Sequence, residues 1–268
     1  MKFFNNNIKF IILIFIFIII LITIYHTGNK TIIVNKINNI EPPNKNISLM
    51  TYNIHRGIDA HGNSNLKEIS ELINNNQVKI VGLNEVDKYT KRSNFQDQIK
   101  IIAEKTGMNY VYGPNLYNSY GRYGNGLLSK YPIIKADNHR LPRLENNEPR
   151  GLIDASILLP DNQEYHILVT HLSINKKERY IQLNWIEKYV NQLDKPYILM
   201  GDLNEEINED NRLMSLSVSN DIKTFPSESP EKQIDHIFTN IELNIIDKKS
   251  LFSTASDHLP LFVEFIKS

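Results

Sequence analysis

The chain has no cysteine, which excludes disulfide cross-links, thiol catalysis and cysteine-ligated zinc together. It has no net charge, since 30 Lys+Arg balance 30 Asp+Glu. The first 30 residues hold three lysines and no acid, so the remainder is slightly acidic, with 27 bases against 30 acids. A body of that sign lacks the overall electrostatic footprint of a dedicated nucleic-acid binder. No internal repeat is visible. At 268 residues and 41% hydrophobic content, there is room for one sizeable core but not for two enzymatic domains.

The apolar residues are unevenly spread. Lys2 and Lys9 precede an unbroken apolar run from Phe10 to Tyr25. As a helix it would cover about 24 Å, slightly less than a hydrocarbon core of about 30 Å unless Lys9 snorkels. The run has no polar face, so it reads as a membrane-insertion signal. The flank after it offers no small-x-small cleavage site, and without cysteine no lipid-attachment site exists. The expectation is a tail over 1–9, an uncleaved transmembrane signal anchor over 10–25, a spacer over 26–46 containing Pro42-Pro43, and one folded domain over 47–268. The basic side would stay inside and the domain would face outward in a single-pass topology. The alternative is secretion after cleavage.

From Ile47 onward, short β-rich runs alternate with amphipathic stretches. Strands are expected near 47–53, 78–84, 125–130, 152–159, 164–170, 196–201, 234–239 and 260–266. Helices are expected over 65–75, 94–105 and 176–193. The first would be capped by Asn65 with Glu68 three residues on, and the last would bury a stripe of Ile181, Trp185, Ile186 and Tyr189. Pro160-Asp161-Asn162 between two strand runs reads as a hairpin, so the sheet should be mixed. Two packed β-sheets with helices outside would house this many strands, an α/β class.

Six of the apolar runs end in, or lead out of, a polar residue: Asn53, Glu85, His171, Asp202, Asp235 and Asp257-His258. Strand tips gathered on one sheet edge are where α/β proteins place chemistry. Glu85 is the first candidate for a metal ligand, because a carboxylate ending a buried strand needs a cation or donor. Asn53 and Asp257 would add oxygen to the same ion, a set that suits Mg²⁺ or Mn²⁺. Asp202 and Asn204 stand two apart in GDLN and, in an extended segment, would face one attacking water, although Gly-Asp-x-Asn is also ordinary turn chemistry. An Asp235–His258 pair would favour a protonated ring able to neutralise charge on a phosphoryl oxygen, with His171 donating from the other side. Arg56, Arg92 and Arg150 are candidate phosphate clamps, Arg150 first; each is equally satisfied by a surface ion pair.

These residues lie within MTYNIHRG, VGLNEVD, YGNGLLSKYPI, VTHLS, ILMGDLNE, TFPSESPEKQIDHIF and SDHLPLFVEF, in that order. The series resembles the endonuclease/exonuclease/phosphatase superfamily of metal-dependent phosphohydrolases from about Leu49 to Phe265. The resemblance implies a four-layer α/β sandwich, with Glu85 as principal ligand of a divalent metal beside Asn53 and Asp257. It implies that Asp202 orients or deprotonates the water, with Asn204 helping to hold phosphate and nucleophile. His171, and His258 paired with Asp235, would stabilise the pentacovalent phosphoryl group, and Asn125 approaches the site. Where some nuclease members carry Asp two residues after the position of Asn53, this chain has His55. The expected function is a membrane-anchored phosphodiesterase on a phospholipid head group. The alternatives are an extracytoplasmic nuclease and a non-catalytic membrane-tethered binding module; no protein partner is predicted.

Overall fold

The computed structural model describes residues 31–35, 46–59, 62–117, 120–207, 213 and 216–267. The tail and anchor expected over 1–25 lie outside these residues. Among the described residues no helix is long and apolar enough to cross a membrane.

Among the described residues, twelve strands and three α-helices follow one another as β1 (Ile32–Val34), β2 (Asn46–Asn53), α1 (Leu66–Asn75), β3 (Ile80–Lys88), α2 (Gln98–Thr106), β4 (Asn109–Tyr117), β5 (Arg122–Ser129), β6 (Ile133–Arg140), β7 (Gly151–Leu158), β8 (Glu164–His171), α3 (Lys176–Val190), β9 (Tyr197–Asp202), β10 (Asp235–Thr239), β11 (Leu243–Ser250) and β12 (Leu261–Lys267). They form a seven-stranded sheet in the order β1-β4-β5-β3-β2-β12-β11 and a five-stranded sheet in the order β10-β9-β8-β7-β6. Both are mixed: β2 and β3 run parallel, as do β8 and β9, and the remaining pairs are antiparallel. The expected hairpin is β7–β8.

The layering follows from the period of two. In β2, Leu49 enters the core between the sheets while Met50 faces the other way; Ile80 and Val81 divide likewise in β3, and Leu127 and Leu128 in β5. The outward set meets Leu66, Ile69 and Ile73 of α1 and Ile99 and Ile102 of α2. In the second sheet, Ile167, Val169, Ile198 and Met200 face inward, and Leu168, Leu199 and Phe238 face Leu183, Ile186 and Val190 of α3. The result is helix, sheet, sheet, helix. Strands covered on both faces read as continuous apolar runs, which is why the central ones were legible.

Three local expectations need correction. The 26–46 span holds a strand, since Ile32 and Val34 pack against the outer core beside β4; its β-branched Ile-Ile-Val suits an edge position. Asn65 makes no side-chain cap to α1, and Glu68 accepts from Ser253 and Thr254 instead of closing a capping box. On α3, Ile181 is exposed, and the buried positions include Glu178, Gln182, Leu183, Ile186 and Val190. Glu178 accepts from Leu144 N, Asn147 Nδ2 and Gln182 Nε2. That polar stripe anchors the loop leading to Arg150.

Candidate active site

The parallel pairs bring the tips of β2 and β3 together in one sheet and those of β8 and β9 in the other, with His171 in register with Asp202. Asp235 opens β10 opposite Asp202, Arg150 immediately precedes β7, and Asp257-His258 lead into β12. Asn53, Glu85, Arg150, His171, Asp202, Asn204, Asp257 and His258 all line one cleft of about 340 Å³. Asp235 stands behind it against His258. Eight of the twelve sequence candidates therefore face one space. Asn125 lies deeper, accepting from Asn84 at 3.0 Å and donating to Gly151 O at 3.1 Å. Arg56 flanks Glu85, with Nε 3.9 Å from Glu85 Oε2, and Arg92 is withdrawn into a two-point hydrogen bond with buried Asp87 at 2.8 Å.

The backbone is bent to aim these groups. The β3 ladder shifts register between Leu83 and Val86, and Glu85 there has φ 60°. His55, Arg56 and Asn204 are also left-handed, at 42°, 60° and 53°. Such conformations are costly for residues with a Cβ and concentrate at functional sites. At Gly201 (φ 147°) a Cβ would lie 1.8 Å from Thr170 O, so only glycine lets β8 and β9 approach where they deliver His171 and Asp202. Of the two readings of GDLN, the turn holds: Asn204 N donates to Asp202 Oδ1 at 2.8 Å. The turn and the site are one structure.

Asp202 is a hub. Its Oδ2 accepts from Asn53 Nδ2 at 3.0 Å and lies 3.4 Å from His171 Nε2 and 3.7 Å from His258 Nε2. Burial first, and then Asp235, push its carboxyl up to about 7. Burial works against a charged His258, but Asp235, bonded to its Nδ1 at 2.8 Å, together with Asp202 and Asp257 outweighs that and holds the ring up near about 10. His258 is thus an imidazolium between carboxylates. His171 is the opposite case: burial, then Arg150 and His258, hold its pKa well below the ordinary value. As a neutral ring it accepts Arg150 Nη1 on Nδ1 at 3.1 Å, while Nε2 lies 3.4 Å from Asp202 Oδ2 and 3.1 Å from Asn204 Nδ2. Arg150 is buried, is paired to Glu148 at 3.0 Å, and keeps an Nε without an acceptor among the described residues.

Two sets of residues are candidates for a divalent cation. Asp202, Asp235 and His258 have ligand atoms within 4.8 Å of one another, but His258 already supplies the positive charge there. Glu85 and Asp257 fit better. The Glu85 carboxylate meets the neutral Asn53 amide at 3.3 Å and Arg56 only at 3.9 Å, and the Asp257 side chain is 47% exposed. Acidic oxygen donors around an amide, with their charge incompletely offset, suit Mg²⁺ or Mn²⁺.

Sequence reasoning assigned nothing to three supporting residues. Asn84 donates to Asn125 Oδ1 and Thr170 O and accepts from Asp202 N at 2.9 Å, pinning both sheets together beneath the cleft. Thr224 Oγ1 donates to Asp235 Oδ2 at 2.6 Å, and Ser256 Oγ donates to Asn53 O at 2.7 Å. The signal for Asn84 was present, because a carboxamide inside an apolar strand must find partners.

A four-layer sandwich whose shared edge carries carboxylates, imidazoles and a buried arginine defines an enzyme of phosphate-ester hydrolysis in the endonuclease/exonuclease/phosphatase superfamily. Within it, the family model of the PGAP2IP C-terminal nuclease-like domain matches residues 44–229, and the chain belongs to that family. YbhP of Escherichia coli K12 is 25% identical over 244 residues, covering 81% of this chain and 94% of YbhP. An endonuclease/exonuclease/phosphatase family protein of Bacteroides thetaiotaomicron has the same fold at TM-score 0.70 and 18% identity, covering 83% of this chain and 98% of that one. The mannosyl-6-phosphatase of the same organism superposes at TM-score 0.68 and 18% identity, over 82% and 99% of the two chains.

Proposed function

We propose that this enzyme is a divalent-metal-dependent phosphodiesterase, anchored by its N-terminal apolar run with the catalytic domain outside the cytoplasm, and acting on a phospholipid head group. The observation that carries the phosphoester chemistry is the buried Arg150 Nε, without an acceptor among the described residues, in the same cleft as Asp202. An N–H left over in a buried guanidinium is matched by a phosphate oxygen.

In this reading Arg150 and Asn204 hold the phosphate, and Asp202 orients the attacking water and takes its proton. His171 donates from Nε2 to a non-bridging oxygen. His258, held cationic by Asp235, offsets charge as it grows on the phosphoryl group, a term that preorganised donors supply without reorganisation. Asn53, Glu85 and Asp257 would hold Mg²⁺ or Mn²⁺, which supplies Lewis-acid stabilisation of the phosphoryl and leaving oxygens when bound. Arg56 and Asn125 back the site rather than line it, Arg56 beside Glu85 and Asn125 under Gly151. The lipid preference is supported by the apolar run Phe10–Tyr25, because tethering raises the local concentration of a bilayer substrate, and by the acidic body, which opposes a polyanion.

The test is hydrolysis by the full chain in detergent or vesicles, with Mg²⁺ or Mn²⁺ and an EDTA control, across phospholipid vesicles, plasmid DNA and RNA. Metal-dependent release of head group is the expected result. Turnover of DNA or RNA in preference to every lipid would replace the substrate class, and metal-independent turnover would remove Asn53, Glu85 and Asp257 from their role.

A further inference from the structure

Large apolar and aromatic side chains left in solvent gather on the edge that carries the cleft. Among the described residues the four most exposed are Phe252 at 86%, Tyr120 at 82%, Ile174 at 78% and Tyr180 at 67%. Ile174 closely follows His171 at the tip of β8 and lines the cleft itself. Tyr180 sits early in α3 beside Arg179, whose Nε donates to Glu205 Oε2 at 2.7 Å next to Asn204. Phe252 follows β11, whose last residue Ser250 pairs with Leu261, and Leu261 pairs with Thr51 just short of Asn53. Tyr120 shortly precedes Arg122, which opens β5 opposite Lys88, beyond Glu85 on β3. The opposite edge shows Ile134, Ile245 and Ile246, none more than 55% exposed. Single exposed apolar residues are ordinary, but the most exposed ones set around one mouth mark a contact surface.

The chain enters the folded domain from the same side. Strand β1 runs antiparallel to β4, with Ile32 opposite Tyr112 and Val34 opposite Tyr110. β4 in turn ends toward the cleft edge, where Tyr117 pairs with Arg122. Followed backward from Ile32, the backbone therefore heads for the cleft edge. β1 stands three places from β3 in its sheet, so it lies about 14 Å from the strand of Glu85. Only residues 26–31 separate Ile32 from the apolar run Phe10–Tyr25, and six residues reach at most about 22 Å. A bilayer holding that run is within this distance of the point where the domain begins.

We infer that the cleft edge docks on the bilayer that holds the apolar run, with Phe252, Tyr120, Ile174 and Tyr180 entering the head-group layer around the cleft mouth. Tyrosine rings suit that layer, apolar in the body and polar at the tip, while Phe and Ile supply apolar area to bury. A second copy of the chain would need a self-complementary patch about a two-fold axis. A bilayer needs no such match, and the short link keeps one in reach of every copy. The inference rests on the membrane-anchored reading and deepens it. The lipid within reach belongs to the leaflet that the domain faces, and its phosphate meets Arg150 without leaving the bilayer surface.

Because the chain has no cysteine, one introduced cysteine is a unique labelling site. The test places the full chain in phosphatidylcholine vesicles as Tyr120→Cys, Phe252→Cys and, at the opposite edge, Ile246→Cys, each an exposed position. Each variant carries an environment-sensitive fluorophore, and the vesicles carry nitroxide-labelled lipid. The expected result is loss of fluorescence at Tyr120→Cys and Phe252→Cys and none at Ile246→Cys. Equal quenching at all three positions overturns the inference, as does no quenching at the first two. A blue-shifted but unquenched label at those two would mark cover by protein, a second copy included, and overturns it as well. Extraction with alkaline carbonate is run first. Release of the chain removes the anchor and the docking together, whereas retention without quenching overturns the docking alone. Head-group release is measured in the same vesicles, and quenching without hydrolysis keeps the docking while overturning the lipid-hydrolase reading.

Discussion

Single side chains in this cleft differ in charge because their neighbours differ. His258 and His171 are both buried, yet one is held cationic by carboxylates and the other neutral by a guanidinium and the first imidazole. Replacing His258 by Ala removes the fixed positive charge, and kcat is expected to fall by about 10²–10⁴-fold with the far-UV spectrum unchanged. Glu85→Gln keeps shape and removes a full charge, so it should abolish metal-dependent turnover together with metal binding measured by calorimetry. A wild-type metal affinity in Glu85→Gln would move the cation to another set. His236 gives a separate pH signal: burial lowers its pKa while its ring stacks on Phe238 and Nε2 bonds Glu205 O at 2.9 Å. With His171 and His236 both depressed below about 6.5, the unfolded chain binds protons below that pH that the folded chain refuses. Each of these two histidines therefore costs stability as pH drops below about 6.5, by about 1.4 kcal/mol per unit until its folded pKa is reached. His258, held up at about 10, costs stability as pH rises above about 6.5, and Asp202, at about 7, offsets one histidine on the acid side, so stability peaks near about pH 6.5. Denaturant midpoints from pH 8 to 5 read this directly, and a midpoint still rising from about pH 6.5 toward pH 5 would contradict it.

At the scale of elements, the site depends on how strands end. The runs around Asn53, Glu85, His171, Asp202, Asp235 and His258 were legible because their strands, the edge strand β10 included, are buried along their length and show apolar stretches that meet a polar tip. The solvent-facing edge strands β6 and β11 were not. Leu243–Ser250 has a mostly exposed, mixed pattern, and Ile133–Arg140 buries only its first residue fully and exposes half of the strand, so neither has the period that burial imposes. The α3 stripe was misplaced for a related reason: Glu178 and Gln182 are buried by hydrogen bonds to a loop, and a hydrophobicity pattern is blind to such burial. Arg92 illustrates the limit for charges, since nothing in the sequence tells a phosphate clamp from a partner of Asp87 two residues past Glu85. Asn84 is the element-scale pin. Asn84→Leu would leave Asp202 N and two acceptors unsatisfied, costing about 1–3 kcal/mol, and would loosen the register that places Asp202. The expected result is a lower urea midpoint with kcat reduced more than KM is raised. Ile186→Ala on α3, remote from the cleft, is expected to cost about 2–5 kcal/mol through a cavity while kcat stays near wild type. Together the two variants separate positioning from bulk stability.

For the whole molecule, two sheets each contribute one half of the cleft, so anything that binds between them stabilises both. Asn53 and Glu85 come from the seven-stranded sheet, and Asp257 from the loop leading into another of its strands. Asp202, His171 and Arg150 belong to the five-stranded sheet. Across the divide run the Asn53–Asp202 hydrogen bond at 3.0 Å and the bonds of Asn84. A cation held by Asn53, Glu85 and Asp257 would relieve the repulsion between Glu85 and Asp202, which share the one neutral amide of Asn53. Ligand that binds only the folded state adds stability by mass action, about 2.7 kcal/mol at a hundredfold excess over Kd. Mn²⁺ or Mg²⁺ is therefore expected to raise the Tm of the full chain by several degrees, and EDTA to reverse it. Glu85→Gln should have a higher Tm than wild type without metal, because a repelling charge is gone, and should gain almost nothing when metal is added. Ile186→Ala should start lower and gain as much as wild type. A metal-induced rise that persists undiminished in Glu85→Gln would place the cation elsewhere, with the buried Asp202, Asp235 and His258 group as the set to substitute next.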